Sequence, residues 1–395
     1  MQVFSLKPTP PANAFLPIEK LSMSDEKFPL DLFFCNSCSH VQLLDVVNPE
    51  ILFKDYVYVS GTSPVFVEHF RKYALALLEQ SKAEPNSFIV DIGSNDGTLL
   101  RFFQEKNMQV LGIDPAEKIA TDATRRGIKT LPLFFSSKLA NQIVKENGMA
   151  NIVVANNVFA HIDDLIDVVQ GVRTLLKSNG LFSFEVSYLS DVFEKNLFDT
   201  VYHEHLCYHS VKPLKHFFSK NGLELIDVQA VNTHGGSLRG TVQHQGGNKP
   251  ISPSVEEFIE REAKLGLHMA STFQNYSKKI DLLKLEFRNL ILNLISQGKR
   301  LAGFGAPAKA TTLMHHFEIS GEVLEFIVDD NPLKQGLYTP GFHVPILPVT
   351  AIIDKKPDYL VILAWNFADS IIAQQKDFRD RGGKFIIPLP ELRIV

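Results

Sequence analysis

Twice along this chain an apolar run ends in a glycine turn and opens straight into a helix-forming stretch. The first is FIVDIGSNDGTLLRFF from Phe88, and the second is RLAGFGAPAKATTLMHHF from Arg300. A strand that turns on glycine into a helix is the opening unit of a βαβ crossover. Such crossovers are right-handed and build parallel sheets. The segments after the first turn keep the alternation. QVLGID, NIVVANN and GLFSFEV read as strands, and AEKIATDATRR, SKLANQIVKEN and DLIDVVQGVRTLLK as helices. LELIDVQAV and SLRGTVQH, joined by NTHGG, read as an antiparallel addition. Residues 251–297 read as one or two long helices broken near Gly266. After the second turn, LEFIVDD, DYLVILAW and KFIIPL read as strands, with ADSIIAQQKDFRDRG as a helix. The expected fold class is therefore α/β, with two nucleotide-fold-like halves.

Length and composition agree. The 395 residues suffice for two or three domains at roughly 150 residues each. An apolar share of 45% and a charged share of 21% exclude a disordered or collagen-like chain. Forty basic against forty-four acidic residues argue against a nucleic-acid-coating protein. No apolar run approaches the roughly 18 residues of a membrane helix, and MQVFSLKPTPPANAF does not read as a signal peptide. Three cysteines, Cys35, Cys38 and Cys207, are too few for a disulfide framework. A cytoplasmic protein is expected.

The first glycine turn is spaced Asp91-x-Gly93-x-x-x-Gly97. Gly93 permits a sharp turn, and Gly97 would let a ligand approach the helix start. Asp114 ends the next strand, where a carboxylate can accept hydrogen bonds from ribose hydroxyls. An acid two residues before the first glycine is the pattern of S-adenosylmethionine methyltransferases, and the spacing is not GxGxxG. A tight turn without ligand and an NAD site are the other readings. Asn95 lies in the turn. Asn156, Asn157 and His161 follow the fourth strand, at the sheet end where ligands bind in such folds.

TVYHEHLCYHS is the densest chemistry in the chain. It places Tyr202, His203, Glu204 and His205 in succession. The zincin spacing HExxH is absent, so metal hydrolysis is a poor reading. Acid–base work suits these residues better. Histidine is the natural base near neutrality, a neighbouring Glu can orient its ring, and a Tyr hydroxyl can stabilise an oxyanion.

The second turn, Gly303-x-Gly305-x-x-Ala308, fits a dinucleotide site by spacing. Lys309 in the helix's first turn would instead suit a phosphate. Asp329, Asp330, Asn331, Lys334, Trp365 and Asn366 lie at strand ends and could hold a nucleoside diphosphate. Cys35-x-x-Cys38 is half of a zinc ribbon, with His40 as a third possible ligand and no second pair nearby; a redox role is the other reading.

In order, the chain carries PPANAFL, CNSCSHVQL, YVYVSGTS, DIGSNDGTLL, ANNVFAHI, YHEH, THGGSLR, GAPAKATTL, DDNPLKQGLYTPG and LAWNFA. Over nearly its whole length it resembles the sugar-nucleotide C-methyltransferases, which install methyl branches on deoxysugars. The resemblance implies a small zinc-ribbon-like N-terminal region at 1–55, a Rossmann-like S-adenosylmethionine domain at 56–250 and a C-terminal Rossmann-like α/β domain at 251–395. It places the base on His205, with Tyr202, Glu204, His161 and Tyr56 beside it. The methyl donor falls to Asp91, Gly93, Asn95, Gly97, Asp114 and Asn156. The nucleoside-diphosphate sugar falls to Asn157, to His234, Gly236, Ser237 and Arg239 of THGGSLR, and to Lys309, Asp330, Asn331, Lys334, Trp365 and Asn366. The family carries a further cysteine pair ahead of ANAFL. That pair is absent here, so zinc on Cys35 and Cys38 is doubtful. The implied reaction is methylation, through an enolate, of the carbon next to the ketone of a 4-keto-deoxysugar. An NAD-dependent nucleotide-sugar oxidoreductase is the alternative. A monomer or homodimer is expected.

Overall fold

The computed structural model describes residues 1–22, 25–53, 61, 64–233 and 235–395. Three sheets organise them.

The central sheet has seven strands. Phe88–Ile92, Gln109–Ile113, Thr130–Leu131, Ala150–Asn156 and Leu176–Ser187 pair in parallel. Ser237–His244 then adds antiparallel to Leu176–Ser187, and Leu223–Val231 antiparallel to Ser237–His244. Both faces are covered. Ile89, Ile152 and Val154 pack under the helices Pro64–Ser81 and Thr98–Gln104, and Val90, Val153, Phe182 and Phe184 pack into the opposite core. Burial on both faces explains why these strands read as continuous apolar runs.

The third sheet has six strands, ordered Ile346–Leu347, Ile327–Val328, Leu301–Phe304, Tyr359–Ile362, Lys384–Ile387 and Arg393–Ile394, and only the last pairing is antiparallel. The helix Ala308–Phe317 follows its glycine turn, and every residue from Ala310 onward is buried. Helices Ser254–Lys264 and Ala270–Ser296 join the two sheets, with Gly266 at φ +74° between them. This is the expected break.

The N-terminal region, expected to be small and zinc-ribbon-like, is built on a sheet. Gln2–Thr9, Phe28–Phe34 and Val41–Leu43 form an antiparallel sheet, completed by Cys207–Tyr208 from the middle of the chain. The signal is the alternation in FPLDLFF, where Leu30, Leu32 and Phe34 point inward. The prolines conceal it: Pro8 sits near the end of an outer strand, where a missing N–H costs no ladder bond. This sheet shares one hydrophobic core with the third sheet. Thr311 donates to the Ala12 carbonyl at 2.9 Å, and Leu16 and Tyr338 exchange backbone bonds. No helix among the described residues is long and apolar enough to cross a membrane.

Candidate active site

At the first glycine turn the chain leaves strand Phe88–Ile92 with Gly93 at φ +73°, and a Cβ there would overlap Val158. Both the conformation and the space exclude a larger residue. Gly97 also has a positive φ, and a Cβ there would overlap Ile128. Asp114 braces the turn. Its Oδ2 accepts the Asn95 N–H at 2.8 Å and its Oδ1 the Ala116 N–H at 2.9 Å. Burial raises its carboxyl, and these two bonds oppose the shift. Asp91 is buried as well. Its carboxyl is pushed well above the usual range, first by burial and then by the Asp114 charge.

The strand end beside them carries unmet polar groups. Both side-chain atoms of Asn156 and the hydroxyl of Ser94 are buried without a hydrogen-bond partner among the described residues. Each such group costs about 1–3 kcal/mol if left so. Buried acceptors, an orphan amide and a turn that admits no side chain suit a ligand with hydroxyls and amines. S-adenosylmethionine fits this donor set.

The histidine cluster stands near the same end of the sheet. His161 follows strand Ala150–Asn156, and its ring centroid lies 5.0 Å from that of His205. Tyr202 lies 4.1 Å from His205. Nδ1 of His205 is 2.8 Å from the Thr200 carbonyl oxygen. A carbonyl can only accept, so Nδ1 carries a proton and the neutral ring has its lone pair on Nε2. The ring is thus oriented by Thr200, the part expected of Glu204. Glu204 instead turns inward, 3% exposed, and accepts from Asn13 at 2.8 Å. Burial pushes its carboxyl up to about 7, with the Asn13 bond opposing. His203 also faces away, buried, with Nε2 donating to the Phe28 carbonyl. Tyr56 and His234 lie outside the described residues.

Several proposed substrate contacts have protein partners. Arg239 binds Glu185 through Nε at 2.6 Å and stacks 3.9 Å over the Tyr73 ring, and His69 binds the same carboxylate at 2.8 Å. Burial raises Glu185, but His69 and Arg239 outweigh it and the carboxyl titrates below its usual range. The sequence reading missed this cluster, because its members are 116 and 54 positions from Glu185. Ser237 is fully buried and donates to the Thr233 carbonyl, and Gly236 makes room for Asp191. These two shape a turn. Asn157 has a left-handed backbone and donates its N–H to the Glu185 carbonyl.

At the second glycine turn Asp329, not Asp330, braces the loop. Its Oδ2 accepts the Ala306 N–H at 2.6 Å and its Oδ1 the Asn331 N–H at 2.8 Å. Asp330 and Asn366 are exposed at the strand ends. The Asn331 side chain accepts the Leu333 N–H. Lys334 donates to the Ala306 carbonyl at 2.7 Å, with two further N–H donors to offer. Lys309 was expected at a phosphate. It lies 3.6 Å over the Trp365 ring and 3.8 Å from Asp199, whose Oδ2 accepts the Trp365 N–H at 2.6 Å. Both Lys309 and Trp365 therefore face the loop that carries His205.

The zinc reading does not fit. Cys35, Cys38 and Cys207 are free thiols, and no group of three or more His, Cys, Asp or Glu among the described residues could hold a metal. Two thiols fall short of the four ligands of a structural zinc site.

Comparison with known proteins covers the chain from end to end. Residues 1–53 match a family described as "Putative zinc binding domain", 66–228 one described as "Methyltransferase domain", and 232–390 one described as "C-methyltransferase C-terminal domain". C-methyltransferase NovU of Streptomyces niveus is 33% identical over 395 residues, spanning 100% of this chain and 94% of that protein. Among solved structures, an S-adenosylmethionine-dependent methyltransferase from Clostridium acetobutylicum is 12% identical with a TM-score of 0.37, covering 45% of this chain and 92% of that one. Magnesium protoporphyrin IX methyltransferase from Synechocystis, with S-adenosylmethionine bound, is 13% identical with a TM-score of 0.34 over 45% and 80%.

Proposed function

The chain belongs to the S-adenosylmethionine-dependent C-methyltransferase family, and from that premise we propose that its acceptor is a nucleoside-diphosphate 4-keto-deoxysugar, methylated on the carbon beside the ketone. The observation that carries the reading is the Nδ1 bond of His205 to Thr200, which leaves basicity on Nε2 next to Tyr202 and His161.

A carbon that carries hydrogen is not nucleophilic until the proton leaves. The adjacent ketone makes that proton acidic, because the charge can rest on oxygen. His205 Nε2 takes the proton. Tyr202 or His161 donates to the enolate oxygen, as an oxyanion hole does. S-adenosylmethionine, when bound, supplies the electrophilic methyl that the carbon takes. Asp91, Asp114 and Asn156 hold that donor, and fixing both reactants in line lowers the barrier. Lys334, Asn331, Asp330 and Asn366 are the groups offered to the nucleoside diphosphate. Tyr56 is assigned to the reaction by the family resemblance.

Mass spectrometry of products from a panel of 4-keto sugar nucleotides tests the substrate class. A mass gain of one methyl, retained on carbon, is expected for at least one of them; none methylated sinks the reading. His205→Asn should lose about 10²–10⁴-fold in rate, the usual range for removal of a general base. Exchange of the acidic hydrogen in heavy water should fall with it. Exchange persisting in His205→Asn but lost in His161→Asn would move the base to His161.

A further inference from the structure

We propose that Asp199 and Thr312 are positioning residues for the base, through which the C-terminal helix Ala308–Phe317 fixes the ring of His205. The proposal rests on the reading of His205 as the base. It starts from Thr200, whose carbonyl holds Nδ1 of His205 and which ends the 3-10 helix Phe198–Thr200. The residues on both sides of Thr200 are held from helix Ala308–Phe317 and from Trp365, which follows a strand of the third sheet. Asp199 accepts the Trp365 indole N–H at 2.6 Å and faces Lys309 at 3.8 Å. The Val201 carbonyl accepts Thr312 Oγ1 at 2.7 Å. Phe198 stacks on Phe317 at 5.2 Å.

Three of the four side chains engaged here, Lys309, Thr312 and Phe317, lie on one helix. The direction of a carbonyl is set by the planes of the peptides that flank it. With 199 and 201 pinned, the Thr200 carbonyl has little freedom, and neither has the imidazole bonded to it.

The chemistry of the clamp argues for geometry over stability. A threonine inside a helix commonly points to solvent or bonds the carbonyl of its own preceding turn. Thr312 instead donates across to another segment, and its side chain is fully buried. Asp199 is fully buried too, and a buried ion pair is a poor source of stability compared with apolar packing. Neither side chain is exposed to a substrate, so each acts through His205. A displacement of about 1 Å in a reacting group can cost about 100-fold in rate.

The test compares Thr312→Val, which keeps the shape and loses the donor, with Thr312→Ser, which keeps the donor. Three readouts are taken. One is the turnover of a 4-keto sugar nucleotide that the wild type methylates, another is its pH–rate profile, and the third is the long-range proton–nitrogen NMR spectrum of the histidine rings, with His205→Asn identifying the His205 signals. In Thr312→Val, kcat should fall about 10–100-fold with KM and S-adenosylmethionine affinity unchanged. The limb of the profile that reports the base should move, and the Nδ1-protonated signature of His205 should give way to a mixture of tautomers. Thr312→Ser should restore all three. Asp199→Asn should move the same readouts. Wild-type kcat and an unmoved His205 signature in Thr312→Val overturn the clamp while leaving the base standing. A loss of rate that Thr312→Ser does not restore, or that appears only as lost S-adenosylmethionine affinity, overturns it as well. Full activity in His205→Asn overturns the base itself, whatever the Thr312 variants do.

Discussion

The two glycine turns are built on one plan and differ in what their polar groups are left to do. In each, the acid ending the second strand accepts one N–H from the glycine loop and one from two residues further along: Asp114 from Asn95 and Ala116, Asp329 from Ala306 and Asn331. In each, the turning glycine has a positive φ and lies against the loop after a neighbouring strand, Gly93 on Val158 and Gly305 on Ala364. Beyond that they part. The first turn is flanked by an Asn156 amide and a Ser94 hydroxyl with no partner among the described residues. The second is flanked by groups with partners, Lys334 on Ala306 and Lys309 and Trp365 on Asp199. Unmet hydrogen bonds are costly inside a protein, so the turn that keeps them suits a ligand. The second turn has instead put Lys309 and Trp365 into holding the neighbouring loop that carries His205.

If this contrast is right, the two halves should fail differently when damaged. The largest effect on stability is expected at the junction. Asp199→Ala leaves Lys309 buried beside Trp365 without its carboxylate, and should cost about 3–5 kcal/mol in urea unfolding. A loss below 1 kcal/mol would show that the ion pair is not a structural tie. Next comes Glu204, the chain neighbour of His205, whose folded carboxyl titrates near 7 against an ordinary 4.5. Its pKa is raised, so the folded state holds the proton more tightly. Stability is then greatest below the lower value and is lost as pH rises toward the higher one. Glu204→Gln mimics the protonated form. It should be more stable than the wild type by up to about 3 kcal/mol at pH 8 and equal to it near pH 4.5. An equal stability difference at both pH values would refute the shift.

The acid pair sharpens the contrast directly. Asp114→Ala should weaken S-adenosylmethionine binding by about 1.5–3 kcal/mol in calorimetry, the range for hydrogen bonds to a charged group. Asp329→Ala removes the same number of backbone acceptors and should cost a similar amount of folding stability, with donor affinity untouched. Donor affinity falling equally in both variants would mean that the halves are not divided in this way. The smallest stability change is expected at Asn156→Ala, within about 1 kcal/mol, because its amide has no hydrogen-bond partner to lose among the described residues. Donor affinity should nevertheless drop. Unchanged affinity would remove Asn156 from the donor site.

The parallel strands, the two glycine turns and the broken helix pair were legible in the sequence, because each rests on local signals: continuous apolar runs, glycine at a strand end and a glycine between two amphipathic stretches. The family was legible too, because its motifs keep their order along the chain. The N-terminal sheet was less so, since its alternation in FPLDLFF is short and the prolines around it read as loop. What tertiary structure decided is partnership. From its position, Lys309 suits a phosphate, and only folding brings Asp199 to it from 110 residues away. Arg239 reads as a substrate contact until Glu185 is beside it. Glu204 reads as the partner of its neighbour His205, yet their side chains go to different places, one to Asn13 and the other to Thr200. A local sequence states which chemistry a side chain can perform. Whether that side chain remains available for a ligand depends on which distant groups meet it in the fold, because a buried polar group is satisfied by whatever partner the packing brings within about 3 Å.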